Sequence, residues 1–125
     1  MKHFAIFLLL SLLAACVDIS NEKSTSDKSY FSKELFQSKS PDGKRKLTIS
    51  ENGYDSNNCH TQVLIDFGGT GSGVYAVNGR DLSIKTYWKD NNTIVIETKK
   101  EYKADQKWQQ VQSFNDVVKV EYIEK

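Results

Sequence analysis

Apolar and polar residues alternate with period two along much of this chain, and that alternation predicts strands. Residues 44–50 place Leu47 and Ile49 on one face and Lys46, Thr48 and Ser50 on the other. Residues 61–67 repeat the pattern with Val63, Ile65 and Phe67 inward, and 74–77 continue as strand. Leu82, Ile84, Thr86 and Trp88 share one face, and Ile94, Ile96 and Thr98 share a face of the next strand. Residues 117–123 close the series with Val118, Val120 and Tyr122 together.

Turn chemistry separates these segments. Ser40-Pro41-Asp42-Gly43 suits a tight turn, because proline presets its second position and Asp-Gly accepts the geometry that follows. Residues 51–58 read as a loop, 68–73 as a glycine-rich turn, and Asn78-Gly79 as a hairpin turn. Pairing Ile84 with Ile96 and Thr86 with Ile94 sets Trp88 opposite Asn92 and leaves the three-residue loop Lys89-Asp90-Asn91. Residues 99–112 fit two templates: Ala104, Trp108 and Val111 at helical spacing, or Trp108, Gln110, Gln112 and Phe114 at strand spacing. The expected fold is mainly β, a small antiparallel sheet, sandwich or partly closed barrel, with one short helix left open over 104–114.

The N-terminus has a different pattern. Lys2 precedes a run from Phe4 to Leu13 that is apolar save for Ser11, and Ala14 and Ala15 follow. Those are the parts of a secretion signal. The run is too short for a permanent span, which needs roughly 20 apolar residues. Leu13-Ala14-Ala15-Cys16 resembles the lipobox of bacterial lipoproteins. The resemblance implies cleavage before Cys16 and attachment of diacylglycerol to its sulfur; an ordinary secretory signal with a chance cysteine is the alternative. Several acyl chains hold a protein on a membrane where one does not. The expected organisation is a signal peptide at 1–15, lipidated Cys16 with a flexible tether to residue 40, and a β-domain at 41–125. Tyr30, Phe31, Leu35 and Phe36 interrupt the polar tether, with Phe31 and Leu35 spaced for a short helical turn docked on the domain. Val17 after the cysteine, by resemblance to Gram-negative sorting, implies the outer membrane facing the periplasm.

A second resemblance lies further along. Ser40-Pro41-Asp42-Gly43-Lys44, then Tyr87-Trp88 leading to Ile94-Val95-Ile96, then Val118-Lys119-Val120-Glu121-Tyr122 are similar to a family of small bacterial lipoprotein β-domains. Where that family often carries Cys-Gly-Ala-Thr-Thr, this chain has Asn58-Cys59-His60-Thr61. The likeness implies a fold and no activity.

Charge narrows the partners. Loss of the leader removes Lys2 and leaves basic and acidic residues equal, 16 of each. A neutral chain lacks the basic excess that nucleic acid demands. With Cys16 lipidated, Cys59 has no partner in the chain for a disulfide. Cys59-His60 is the one Cys-His neighbourhood, and adjacent residues on a strand face opposite ways. Zinc wants three or four ligands, so no metal is expected, and no cofactor. The run Gly68-Gly69-Thr70-Gly71-Ser72-Gly73 lacks the Gly-Lys-Ser/Thr ending and following helix of a phosphate loop. Thr70, Ser72 and Tyr75 are instead a candidate recognition loop. Ser72-Gly73-Val74-Tyr75 resembles the Ser-Gly loop of periplasmic lysozyme-inhibitor lipoproteins. The expected protein is not an enzyme. It is anchored to the cell envelope through Cys16 and acts as a binding, inhibitory or immunity module on an envelope or secreted protein. A structural lipoprotein of an envelope assembly is the alternative, and a hydrolase using Cys59 the distant one.

Overall fold

The alternating segments become two stacked sheets. The computed structural model describes residues 29–125. It contains β1 (Phe31–Lys39), β2 (Lys46–Gly53), β3 (Cys59–Asp66), β4 (Gly71–Asn78), β5 (Lys85–Asp90), β6 (Thr93–Thr98), β7 (Ala104–Lys107), β8 (Gln110–Ser113) and β9 (Asp116–Glu124). One sheet has the order β1-β2-β3-β4-β7 and the other β5-β6-β9-β8. Neighbours are antiparallel except β6 and β9, which run parallel. The fold is therefore a mainly β sandwich, with no helix among the described residues. The stretch 104–114 holds two strands, β7 and β8, in place of a helix.

The core lies between the sheets. Leu47, Ile49, Val63, Ile65, Tyr75 and Val77 meet Ile94, Ile96, Val111, Val118 and Val120 there. Each fully buried aliphatic side chain of this kind contributes about 1.5–3 kcal/mol. β5 lies over β1 and β2, and β8 lies over β4. The strand registers define two ends. The chain enters β1 at the near end, beside the loop 54–58 and the segment 79–84. The far end carries the turns after β1, β3, β5 and β8.

Four expectations change. Residues 31–39, placed in the tether, form β1, and the helical turn is a strand. A bulge at Leu35 sets Phe31 opposite Gly53 and Phe36 opposite Ile49, so two aromatics five apart share a face and the period of two is masked. Residues 51–53 extend β2 and are not loop, because β2 pairs with β3 as far as Gly53 and Cys59. A Cβ at Gly53 would lie 2.2 Å from the Asn58 carbonyl oxygen, so glycine alone fits that crossing. Asn78-Gly79 does not close a hairpin, since β4 and β5 belong to different sheets. The segment 79–84 is pinned instead by buried Glu51, whose Oε2 accepts from the Asp81 amide at 2.8 Å. Finally, Trp88 pairs with Ile94 and Thr86 with Ile96, two residues from the expected register. A bulge at Lys89 leaves Asn91-Asn92 as the turn, with the Asn92 amide donating to Asp90 Oδ1 at 2.8 Å.

Candidate functional site

The far-end turns are built by one device used three times. Asp42, Asp66 and Asp90 each accept from backbone amides two or three residues on, as Asx turns do. Asp42 Oδ1 takes the Ser40 hydroxyl at 2.6 Å and the Lys44 amide at 3.1 Å. Asp66 Oδ1 takes the amides of Gly68 at 2.8 Å and Gly69 at 3.3 Å. These bonds hold the Asp66 carboxyl below its usual range, Gly68 first and Gly69 second. They also occupy the amides that a phosphate would need from this glycine run.

Side chains then tie the turns together. The Asp42 amide donates to Asn91 Oδ1 at 2.8 Å. The Arg45 guanidinium spans from the Asn91 carbonyl to the Asp116 carboxylate. On the other side, Thr70 Oγ1 and Ser113 Oγ lie 2.8 Å apart, joining the glycine turn to the β8–β9 hairpin. The far end is thus a braced set of turns contributed by both sheets.

Phe114 projects from this platform. Ser113 pairs with Asp116, so Phe114-Asn115 is a two-residue turn. Phe114 has φ +55° and is 89% exposed. Hairpins of this length favour glycine or asparagine at such a left-handed position. Gln112 Nε2 donates to the Phe114 carbonyl at 2.6 Å and holds the turn. A bulky apolar ring is therefore kept in solvent by a conformation that L-residues adopt at a cost. Chemically, such a ring can enter an apolar pocket of a partner.

The residues expected as a recognition loop do not come together. Thr70 is exposed and belongs to the far end, whereas Ser72 is half-buried on β4. Tyr75 is 2% exposed and lies in the core. A bulge at Val74 turns both Val74 and Tyr75 inward, and the Tyr75 ring lies 6.1 Å from that of Tyr122. Burial pushes both phenols up in pKa, which fits packing and not recognition. Phe114 escaped the sequence reading because strand alternation over 108–114 carries straight through it. Asn115-Asp116 was the turn signal that could have stopped it.

Cys59 is free, 6% exposed, and directs its sulfur to the Ser56 carbonyl oxygen at 3.6 Å. His60 follows on the same strand, so its side chain leaves the opposite face. Among the described residues, no three His, Cys, Asp or Glu side chains cluster as a metal site would need. Cys16 lies outside the described residues. Compared with known proteins, the chain matches no family model, no curated protein and no solved structure.

Proposed function

We propose that this chain is a lipid-anchored protein of the bacterial cell envelope, on the outer membrane facing the periplasm in a Gram-negative host. In this proposal it is a non-catalytic binding module of inhibitory or immunity type that works through its far-end turns. One observation carries the proposal: Phe114, 89% exposed at φ +55°, on turns braced by Thr70–Ser113 and Arg45–Asp116. Aromatic side chains are the usual anchors of protein interfaces, most of all where they fill a partner's pocket. A rigid, pre-shaped hairpin also lowers the ordering cost of binding.

The direction of the chain supports the same reading. An anchor at Cys16 would join the domain at Phe31, the near end, so the Phe114 turn would point away from the bilayer. The buried sulfur of Cys59 supports the non-catalytic part, because a nucleophile needs a base beside it and an open approach. The partner fitted by this surface is an envelope or secreted protein with an apolar pocket wide enough for a phenyl ring.

The test places a photoreactive phenylalanine analogue at position 114 of the full chain in cells, with position 33 at the opposite end as control. A discrete crosslinked protein at 114 and none at 33 is the expected result. Crosslinks to several membrane components at both positions would favour a structural lipoprotein of an envelope assembly. No crosslink at 114 beyond the control would overturn the proposal.

A further inference from the structure

The near end carries an exposed aromatic pair. Tyr30, immediately before β1, and Tyr54, immediately after β2, are 57% and 53% exposed. Their rings meet edge to face, with centroids 5.3 Å apart. The backbone beside them is braced. The Arg80 guanidinium lies over the Phe31 ring at 5.4 Å, and Ser32 Oγ donates to Asn52 Oδ1 at 2.6 Å. The Tyr54 amide donates to the Asn58 carbonyl at 2.9 Å. The two tyrosines therefore form one amphipathic patch, apolar in its rings and polar at its hydroxyls, where the chain enters the domain.

What meets this patch follows from the chain that leads to it. Tyr30 follows Cys16 by 14 residues, which reach at most about 50 Å. With the lipid on Cys16, contact between the near end and the bilayer is intramolecular. Short tethers give millimolar effective concentrations, so a contact too weak to hold a free domain suffices. Tyrosine and tryptophan gather at membrane–water interfaces, where the ring meets apolar groups and the polar tip meets head groups. Phenylalanine lacks that tip. The exposed rings of the two ends divide in this way, tyrosines at the anchored end and Phe114 at the far end. Lys33 and Arg80 beside the patch are balanced by Asp55 and Asp81, the last 3.8 Å from Arg80 Nε. The patch therefore has no net charge with which to select anionic lipid.

We propose that the near end rests on the bilayer that holds the anchor, with Tyr30 and Tyr54 seated among the lipid head groups. This contact depends on the lipid anchor proposed above and gives the anchored domain a fixed orientation. Eight-residue strands such as β2 then hold the far-end turns up to about 25 Å from the membrane surface.

The experiment uses the full chain purified from bacterial membranes and placed in phosphatidylcholine vesicles that contain a lipid with a nitroxide on its head group. A bimane fluorophore is attached at Asn57→Cys, in the loop of Tyr54, or at Asn115→Cys, beside Phe114; both positions are exposed, and Cys59 is buried. Quenching at 57 well above that at 115 is expected. The excess should be lost when Tyr30→Ser and Tyr54→Ser are combined, and kept when Tyr30→Trp and Tyr54→Trp are combined. Adding phosphatidylglycerol should leave it unchanged. Equal quenching at both positions, or an excess that survives the two serines, overturns the proposal. The anchor still stands in that case if the chain sediments with the vesicles and its mass includes acyl groups. A chain without acyl groups overturns both. Quenching that requires phosphatidylglycerol assigns the contact to basic side chains and overturns the place given to the tyrosines.

Discussion

Arg45 Nε donates to Asp116 Oδ2 at 2.9 Å, and Nη2 donates to the second oxygen of the same carboxylate. This forked pair joins the turn before β2 in one sheet to the first residue of β9 in the other. The Arg45 side chain is 10% exposed and that of Asp116 34%, so solvent screens the pair only in part. Arg45→Ala should destabilise the domain by about 1–2 kcal/mol, read from urea unfolding. Arg45→Lys should recover little, since an ammonium cannot reproduce the fork. A lysine variant that unfolds with the parent would mean that charge alone suffices.

Phe114 holds its left-handed φ with an L-side chain, which costs roughly 1–2 kcal/mol. It buries little surface in return. Phe114→Gly should therefore raise stability, by about 1 kcal/mol, while removing the crosslinked or captured partner. A variant that is more stable and still binds would show that the ring is incidental to recognition.

Thr86→Val is a second substitution that should raise stability. Removing an unpartnered buried hydroxyl should stabilise the domain by about 1 kcal/mol. A lower urea midpoint would show instead that Oγ1 has a partner in solution that the fold depends on.

Acid should loosen the far end first. Asp42 is held below the usual carboxylate range by the Ser40 hydroxyl and then the Lys44 amide. Asp66 is held there by the Gly68 and Gly69 amides, and Asp90 chiefly by the Asn92 amide. A carboxyl whose pKa is lowered in the folded state stabilises that state fully above its unfolded value, near 4. The contribution is lost as pH falls through the depressed folded value. Between pH 5 and pH 3, protection of the amides at residues 42–44, 68–69 and 92, relative to the unstructured exchange rate at each pH, should fall before that of Val63 or Ile96. A uniform fall in protection across the core would contradict the role given to these turns.

Which residues face inward is legible in the sequence wherever a strand is regular. Leu47 with Ile49, Val63 with Ile65, and Val118 with Val120 follow from period two, with no knowledge of the partner strand. Bulges at Leu35, Val74 and Lys89 break that logic. They hid β1 as a strand, turned Tyr75 into the core, and moved the β5–β6 register by two residues. A bulge depends on the ladder beside it, so local pattern carries no mark of it. The parallel pairing of β6 with β9 is hidden for the same reason. Of the far-end turns, those after β1 and β3 were readable from Asp-Gly and Gly-Gly. That Thr70 would meet Ser113, or Trp88 reach Ser38, required the topology of both sheets.

Trp88 ties the edge strand β1 to the second sheet. Its ring packs against the core, and Nε1 donates to the Ser38 carbonyl at 3.1 Å, linking β5 to β1. β1 pairs with β2 alone, so this bond is one of few ties holding it to the second sheet. Truncating a large buried aromatic costs roughly 3–5 kcal/mol, and a half-buried one belongs at the lower end. Trp88→Ala should therefore cost about 3 kcal/mol. Trp88→Phe, which keeps an aromatic ring and loses the donor, should cost much less, about 1 kcal/mol from the hydrogen bond. The two variants separate packing from tethering. If Nε1 holds β1 in place, Trp88→Phe should quicken amide exchange in residues 36–39 while leaving residues 94–96 protected. If β1 in that variant exchanges like the parent, its pairing with β2 is sufficient. Leu35 and Phe36 then owe their positions to the bulge and the pairing with β2, and not to Trp88.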